Sequence, residues 1–141
     1  MGEIGEGVAY FTMKTLVTVY ALVKFQDKYL ITQRADTKSN AGYWGCISGH
    51  IKEYESAEEA AIREVKEETN LDGNILKIGN PIWFDVNDKR WIILNYLVKV
   101  DNIDGLKIDK EEIKEWKWID KDDEIVKQYK GLEDTFKSLL L

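Results

Sequence analysis

The chain has 141 residues, 44% of them hydrophobic and 33% charged, with a formal net charge of −6. That length fits a single domain, residues 1–141, with a sizeable core, and five tryptophans against one proline argue for a compact fold over disorder. The acidic balance with no basic cluster speaks against tracking a nucleic-acid backbone, and one cysteine with one histidine excludes an internal disulfide and a tetrahedral zinc site.

Residues 1–14 form an N-terminal arm to which no role is assigned, and Met13 is an alternative start. The longest apolar run, 16–23, contains Thr18 and is too short to span a bilayer. No charged, apolar and cleavable leader precedes it, so a soluble, membrane-free protein of the reducing cytoplasm is expected. Residues 15–25 and 29–34 read as a hairpin around Gln26, Asp27 and Lys28, the first strand apolar on both faces and therefore central. A polar loop, 35–45, leads to a short strand at 46–48, where Cys46 is expected to be a small buried apolar residue.

The stretch 52–68 carries seven acids against Lys52, Arg63 and Lys66. Alanines, glutamates, Arg63 and Lys66 favour a helix there. Ser56 with Glu59 makes a capping box at its start, and Asn70 tolerates the left-handed conformation that ends it, so the helix is predicted over 56–69. At about 100° per residue, Ala57, Ala60, Ala61, Glu64, Glu67 and Glu68 fall within roughly 120° of one another, while Ile62, Val65 and Thr69 form an adjoining stripe fit to bury against a sheet. Like charges at such spacing cost roughly 0.2–0.5 kcal/mol per pair, a cost that a divalent cation reverses. The plain alternative is a wet helix face in a highly charged chain. Against it stand Arg63 beside the acids, Glu55 just ahead of the cap, and glycines 45 and 49 in the approach.

Residues 75–84 and 90–100 then read as two strands around 85–88, and 113–119 as a further strand. From about Asp122 the spacing of Ile125, Val126, Tyr129, Leu132, Phe136, Leu139 and Leu140 predicts a helix. A helix between strands and another at the end define a mixed sheet with helices on both faces.

Gly49, Glu55, Arg63, Glu64, Val65, Glu67, Glu68, Asn70 and Leu71 stand at the spacing of the box that marks the Nudix, or MutT-like, hydrolases, and the chain resembles that family over about residues 15–126. Every position matches except Asn70, where the family has glycine, and asparagine is the usual second choice at such a helix stop. The resemblance implies an α/β/α sandwich with a mixed, partly antiparallel sheet. It also implies hydrolysis of a nucleoside diphosphate linked to another moiety, with Mg²⁺ or Mn²⁺ held by Glu64, Glu67, Glu68 and the carbonyl of Gly49. Arg63 would pair with Glu55 and hold the neighbouring acids in register. A further carboxylate from downstream is expected: Glu112 first, with Glu111 and Glu115 behind it. Base and ligand differ only in geometry, so Glu67, Glu68 and Glu112 all stay candidates for the group that activates water.

Substrate contacts fall outside the box. Tyr43, Trp44, Trp83, Phe84, Trp91 and Tyr96 are candidates to stack a base, Trp44 and Trp83 first among them, or else to pack the sheet; Arg34 is a candidate to meet a phosphate or cap its strand, and His50 to be a loop residue or, second, a phosphate contact. The only proline, Pro81, comes too early after the box for the ADP-ribose subgroup, and the tyrosine associated with dinucleoside polyphosphates is missing. A nucleoside triphosphate cleaved to monophosphate and pyrophosphate is therefore expected. ADP-ribose or a nucleotide sugar is the alternative, followed by a non-catalytic nucleotide-sensing module and an RNA 5′-end decapping enzyme. Trp91 or Trp116 on an exposed strand would suit a homodimer interface.

Overall fold

The structure is a computed structural model describing residues 13–141, so residues 1–12 of the N-terminal arm lie outside the described residues. Lys14 is not part of an arm: it opens β1 (Lys14–Phe25), which pairs with β2 (Lys28–Arg34) in the expected hairpin, Phe25 opposite Lys28. The two strands stay paired only as far as Val23 and Leu30. Beyond that point β3 (Trp44–Gly45) pairs with β2 and β4 (Ile47–Gly49) pairs with β1, so the segment 44–49 is wedged between diverging strands. The strand expected at 46–48 is thus longer and interrupted at Cys46, which is buried.

Helix α1 (Ala57–Thr69) follows. Ser56 Oγ accepts from the Glu59 amide at 3.1 Å and Glu59 accepts from the Ser56 amide at 2.9 Å, the reciprocal pair that satisfies two orphan donors of a helix start. Asn70 closes it in the left-handed conformation at φ 62°.

Residues 75–84 do not form one strand. Strand β5 (Gly73–Ile78) and β6 (Ile82–Val86) are separated at Gly79, Asn80 and Pro81, and both lie antiparallel on β7 (Lys89–Val100). The break is held by buried Asn95, whose carbonyl accepts from Gly79 N at 2.9 Å and whose side chain donates to Asn80 O at 3.0 Å. Pro81, with no amide to donate, suits the gap. Strand β7 runs parallel to β1 in the centre, and β8 (Ile113–Ile119) adds antiparallel to the outer edge of β2, which makes an eight-stranded mixed sheet.

The final helix is also divided, into α2 (Ile125–Gln128) and α3 (Lys130–Leu140), because Tyr129 is extended at φ −129°, ψ 114°. Tyr43 fixes that break: its ring packs edge-on against Tyr129 at 5.0 Å and its hydroxyl accepts from Gly131 N at 3.0 Å.

Register decides which residues face which helix. Val19, Ala21 and Val23 with Tyr96 and Val98 pack under Ala60, Ala61 and Val65 of α1, whereas Leu22 and Leu97 pack under Leu132, Phe136 and Leu139 of α3. The sheet therefore carries helices on both faces, as the order of elements implied. Helix α3 covers only part of its face. Thr18, Tyr20, Trp91 and Ile93 continue that face as an open floor.

Candidate active site

The open floor ends at a cleft of about 890 Å³. On the edge of β1 away from β7, strand pairing with β4 stops at Val19, and α1 presents its acids through the gap that this leaves. Glu64, Glu67 and Glu68 all line the cleft, together with Gly49, Arg63 and Glu112. Glu55 does not line it but holds Arg63 from behind.

That hold is bidentate. Arg63 Nε donates to Glu55 Oε2 at 2.7 Å and Nη2 to Glu55 Oε1 at 2.9 Å. The rest of the guanidinium donates to Glu64 at 2.7 Å, Glu67 at 3.1 Å and the His50 carbonyl at 2.8 Å, so one planar fork fixes the loop and two acids together. Glu55 also accepts from Lys52 N at 3.0 Å, in a turn where Tyr54 is left-handed at φ 65°, a conformation unusual for a bulky residue. The hydrogen bonds from Arg63, and then that from Lys52, lower the Glu55 carboxyl to about 2.

Glu68 is the buried member of the acid set, 8% exposed, and its Oε2 has no hydrogen-bond partner among the described residues. Burial first, then contact with the Glu64 carboxylate, raises its pKa strongly, with Glu112 and Asp109 adding to the effect. Two carboxylates in contact cannot both ionise unless a proton or a cation sits between them. Gly49 completes the corner: its carbonyl accepts from Thr18 Oγ1 at 2.8 Å, and it packs directly against the Glu64 side chain. Among the described residues, no three acid, histidine or cysteine groups already stand in ligating geometry, because Arg63 draws Glu64 and Glu67 towards itself. The orphaned Glu68 oxygen and the forced Glu64–Glu68 contact nevertheless fit a hard divalent cation, which prefers such oxygens.

The downstream carboxylate expected near β8 arrives by backbone docking. Lys107 N and Asp109 N donate to the Thr69 and Glu68 carbonyls, both at 2.9 Å, capping the end of α1 and bringing Asp109 and Glu112 into the cleft. Glu111 lies instead in a separate concavity on the outer side of the 35–38 segment, and Glu115 is exposed on β8. Asp109 and Thr18 were not singled out from the sequence. The one available signal for Thr18 was a hydroxyl inside an apolar run.

Of the aromatic candidates, the structure brings Phe84 and Trp91 to the cleft as a directly paired couple across β6 and β7, with Val86 beside them. Trp83 and Trp44, the two favoured from sequence, are placed elsewhere. Trp83 pairs with Ile92 on the opposite face of the sheet, under the Arg90 guanidinium at 4.3 Å, because alternate residues of a strand face opposite ways. Trp44 packs against the α3 core with Lys117 over its ring at 5.1 Å. Tyr43 serves the Tyr129 break, Tyr96 is buried under α1, and Trp116 is exposed on β8. Arg34 and His50 do line the cleft, Arg34 donating to the Ser39 carbonyl at 2.7 Å.

A mixed sheet with helices on both faces and a carboxylate-lined cleft beside its central strand describe an α/β protein whose acids suit a hard cation. The family model for the NUDIX domain matches residues 14–139, and the chain belongs to the Nudix family. It is 29% identical over 118 residues to an RNA pyrophosphohydrolase of Sphingopyxis alaskensis, covering 70% of this chain and 73% of that protein. It is 30% identical over 63 residues to the CTP pyrophosphohydrolase of Escherichia coli, covering 45% of this chain and 47% of that one. A MutT protein of Methanosarcina mazei superimposes with a TM-score of 0.76 at 24% identity, over 91% of this chain and 94% of the other. The protein is accordingly a Nudix pyrophosphohydrolase, a hydrolase acting on acid anhydrides, and such hydrolases generally use divalent metal ions. Among the described residues no helix is long and apolar enough to cross a membrane.

Proposed function

We propose that the protein hydrolyses a nucleoside triphosphate to the monophosphate and pyrophosphate, with Mg²⁺ held by Glu64, Glu67, Glu68, Glu112 and the Gly49 carbonyl. The observation that carries the reading is the Glu64–Glu68 pair: a buried acid, one of whose oxygens has no partner, lies beside a second acid in a cleft of about 890 Å³. When bound, the cation supplies charge compensation for the phosphates and a lowered pKa for water. The chain's own residues do the rest. Arg63 keeps Glu64 and Glu67 at the edge of the cleft and Glu55 keeps Arg63 in place, so the acids need only turn from the guanidinium to meet a cation. Arg34 lines the same cleft and is the group to meet a phosphate oxygen. Phe84 and Trp91 offer the flat apolar surface for a base.

Stacking reads a base by its face and not its edge, which supports broad base tolerance. A second reading is favoured by the relative named RNA pyrophosphohydrolase: the triphosphate at an RNA 5′ end is the same chemical group, and the cleft is open at its outer side. The test is phosphate and pyrophosphate release, with Mg²⁺, from the nucleoside triphosphates, ADP-ribose, a nucleotide sugar, a dinucleoside polyphosphate and a 5′-triphosphorylated oligoribonucleotide. Pyrophosphate from free triphosphates at a rate above that from the oligonucleotide supports the first reading; the reverse order supports the second, and turnover of neither sinks both.

A further inference from the structure

The acids and the aromatic floor leave one wall of the cleft without a role. It is built by the loop between β2 and β3, which contributes Lys38, Ser39 and Asn40. The base of that loop is fastened by backbone bonds, Arg34 N to Tyr43 O at 3.0 Å and Gly42 N to Arg34 O at 3.2 Å. Its outer arm is tied to the segment bearing Glu112, through Ala35 N to Glu112 O at 3.1 Å and a Lys114–Asp36 ion pair at 3.2 Å. Lys38 therefore stands on a loop that is anchored at both ends, and only its side chain is free to choose a partner.

That partner is Glu112, with Lys38 Nζ 2.9 Å from Glu112 Oε1 and the two side chains 35% and 42% exposed. Glu112 is also near enough to Glu68 for the two to repel. Arg63 is taken up by Glu55, Glu64 and Glu67, so the Lys38 ammonium is the cation that faces Glu112. Once Glu112 is drawn towards a divalent cation among Glu64 and Glu68, the Lys38 ammonium loses its partner while remaining in the wall of the cleft, with three donors to offer.

We propose that Lys38 exchanges partners during loading: it pairs with Glu112 in the metal-free protein and with a phosphate oxygen of the substrate once a divalent cation engages Glu112. Lys38 is thus a positioning residue that couples the two binding events. The cation exposes a positive charge for the anion, and by reciprocity the anion, by occupying Lys38, frees Glu112 for the cation. No covalent bond changes in the exchange. The inference rests on the hydrolase reading above, and its test uses binding, so that the two can fail separately.

The experiment titrates Mn²⁺ alone into wild type, Lys38→Met and Lys38→Arg, following free Mn²⁺ by paramagnetic resonance, and then titrates a non-hydrolysable nucleoside triphosphate at saturating Mn²⁺. Lys38→Met is expected to bind Mn²⁺ about two- to fivefold more tightly than wild type, the equivalent of one half-exposed ion pair removed from competition. The same variant is expected to bind the nucleotide about fivefold or more weakly, as befits the loss of a charge-assisted hydrogen bond. Lys38→Arg should restore both values towards wild type. A lysine that merely braces the loop would lower both affinities or neither. Unchanged Mn²⁺ affinity or unchanged nucleotide affinity in Lys38→Met, with wild type binding normally, overturns the exchange alone. A wild type that takes up no Mn²⁺ overturns it together with the hydrolase reading.

Discussion

Gly49 and Glu64 occupy the same corner: a Cβ built on Gly49 would lie 2.2 Å from Glu64 Cδ and 2.3 Å from its Oε1. The constraint is one of space, since Gly49 is not among the residues with positive φ. Gly49→Ala leaves the backbone unstrained but drives the Glu64 carboxylate out of its place beside Glu68 and Arg63. A misplacement of about 1 Å in such a constellation costs on the order of 10² in rate. The expected outcome is a kcat reduced about a hundredfold with an unchanged circular dichroism spectrum. Retention of more than a third of the rate would show that Glu64 works from another position.

The Arg63–Glu55 pair makes stability depend on pH in a defined direction. Its hydrogen bonds lower the folded carboxyl of Glu55 to about 2, whereas an unfolded glutamate titrates near ~4.3. As pH falls, the unfolded chain takes up the proton first, so the contribution is complete above about pH 5 and drains away as pH falls towards 2. Glu55→Gln should therefore unfold at lower urea than wild type at pH 7, and the gap between the two should narrow steadily as pH falls from 5 towards 2. A gap that stays constant over that range would mean the pair adds no charge-dependent stability.

What the sequence made legible follows the range of the forces involved. The capping box at Ser56 and Glu59, the left-handed stop at Asn70 and the helix between them depend on neighbours three or four residues away, and they appear where the residues place them. The paired strands of the first hairpin are legible for the same reason. The division of 75–84 was not, because it depends on Asn95 and Ser138 gripping residues 79 and 80 from distant parts of the chain. The same holds for Tyr129, whose extended backbone answers to Tyr43. Among the site residues, Glu64, Glu67 and Glu68 are fixed by helical period, but the choice of Phe84 over Trp83 needed the register of β6 on β7, where a shift of one residue reverses every side chain. Asp109 entered only through hydrogen bonds to the end of α1.

Glu68 is held in a place that suits a cation better than it suits the folded chain alone. Its unpartnered buried oxygen and its contact with Glu64 cost stability, and an unsatisfied buried polar group is worth about 1–3 kcal/mol. Glu68→Gln, which removes the charge and adds a donor facing Glu64, is expected to stabilise the metal-free protein by about 1 kcal/mol while lowering kcat by two or more orders of magnitude. The sign with pH is opposite to that of Glu55. A raised carboxyl favours folding below the unfolded value and loses that advantage as pH rises, so the gain from Glu68→Gln should shrink as pH falls towards 4. Thermal melts with and without chelator give the companion result. Mg²⁺ should raise the midpoint of wild type, by the equivalent of about 2.7 kcal/mol at a hundred times its dissociation constant, and move Glu68→Gln far less. Equal shifts in both proteins would place the cation elsewhere.

Phe84 and Trp83 are neighbours in sequence on opposite faces, and this gives the base-stacking assignment an internal control. Phe84 is 44% exposed into the cleft and Trp83 is 60% exposed on the far side, so both can be truncated without emptying the core. Stacking on one aromatic ring is worth about 1–3 kcal/mol per base, or roughly ten- to hundredfold in affinity. Phe84→Ala should raise KM by about tenfold with kcat little changed, since the base lies away from the reacting phosphates and is held equally in ground and transition states. Trp91→Ala should act in the same direction, and the double variant should fall short of the product of the two because both rings meet one base. Trp83→Ala should leave KM within twofold, its ring being engaged with Arg90 and not with the cleft. A rise in KM for Trp83→Ala with none for Phe84→Ala would move the base to the other face of the sheet. Equal KM for all variants would leave the phosphates as the whole of recognition, and would favour substrates that are read by their anhydride alone.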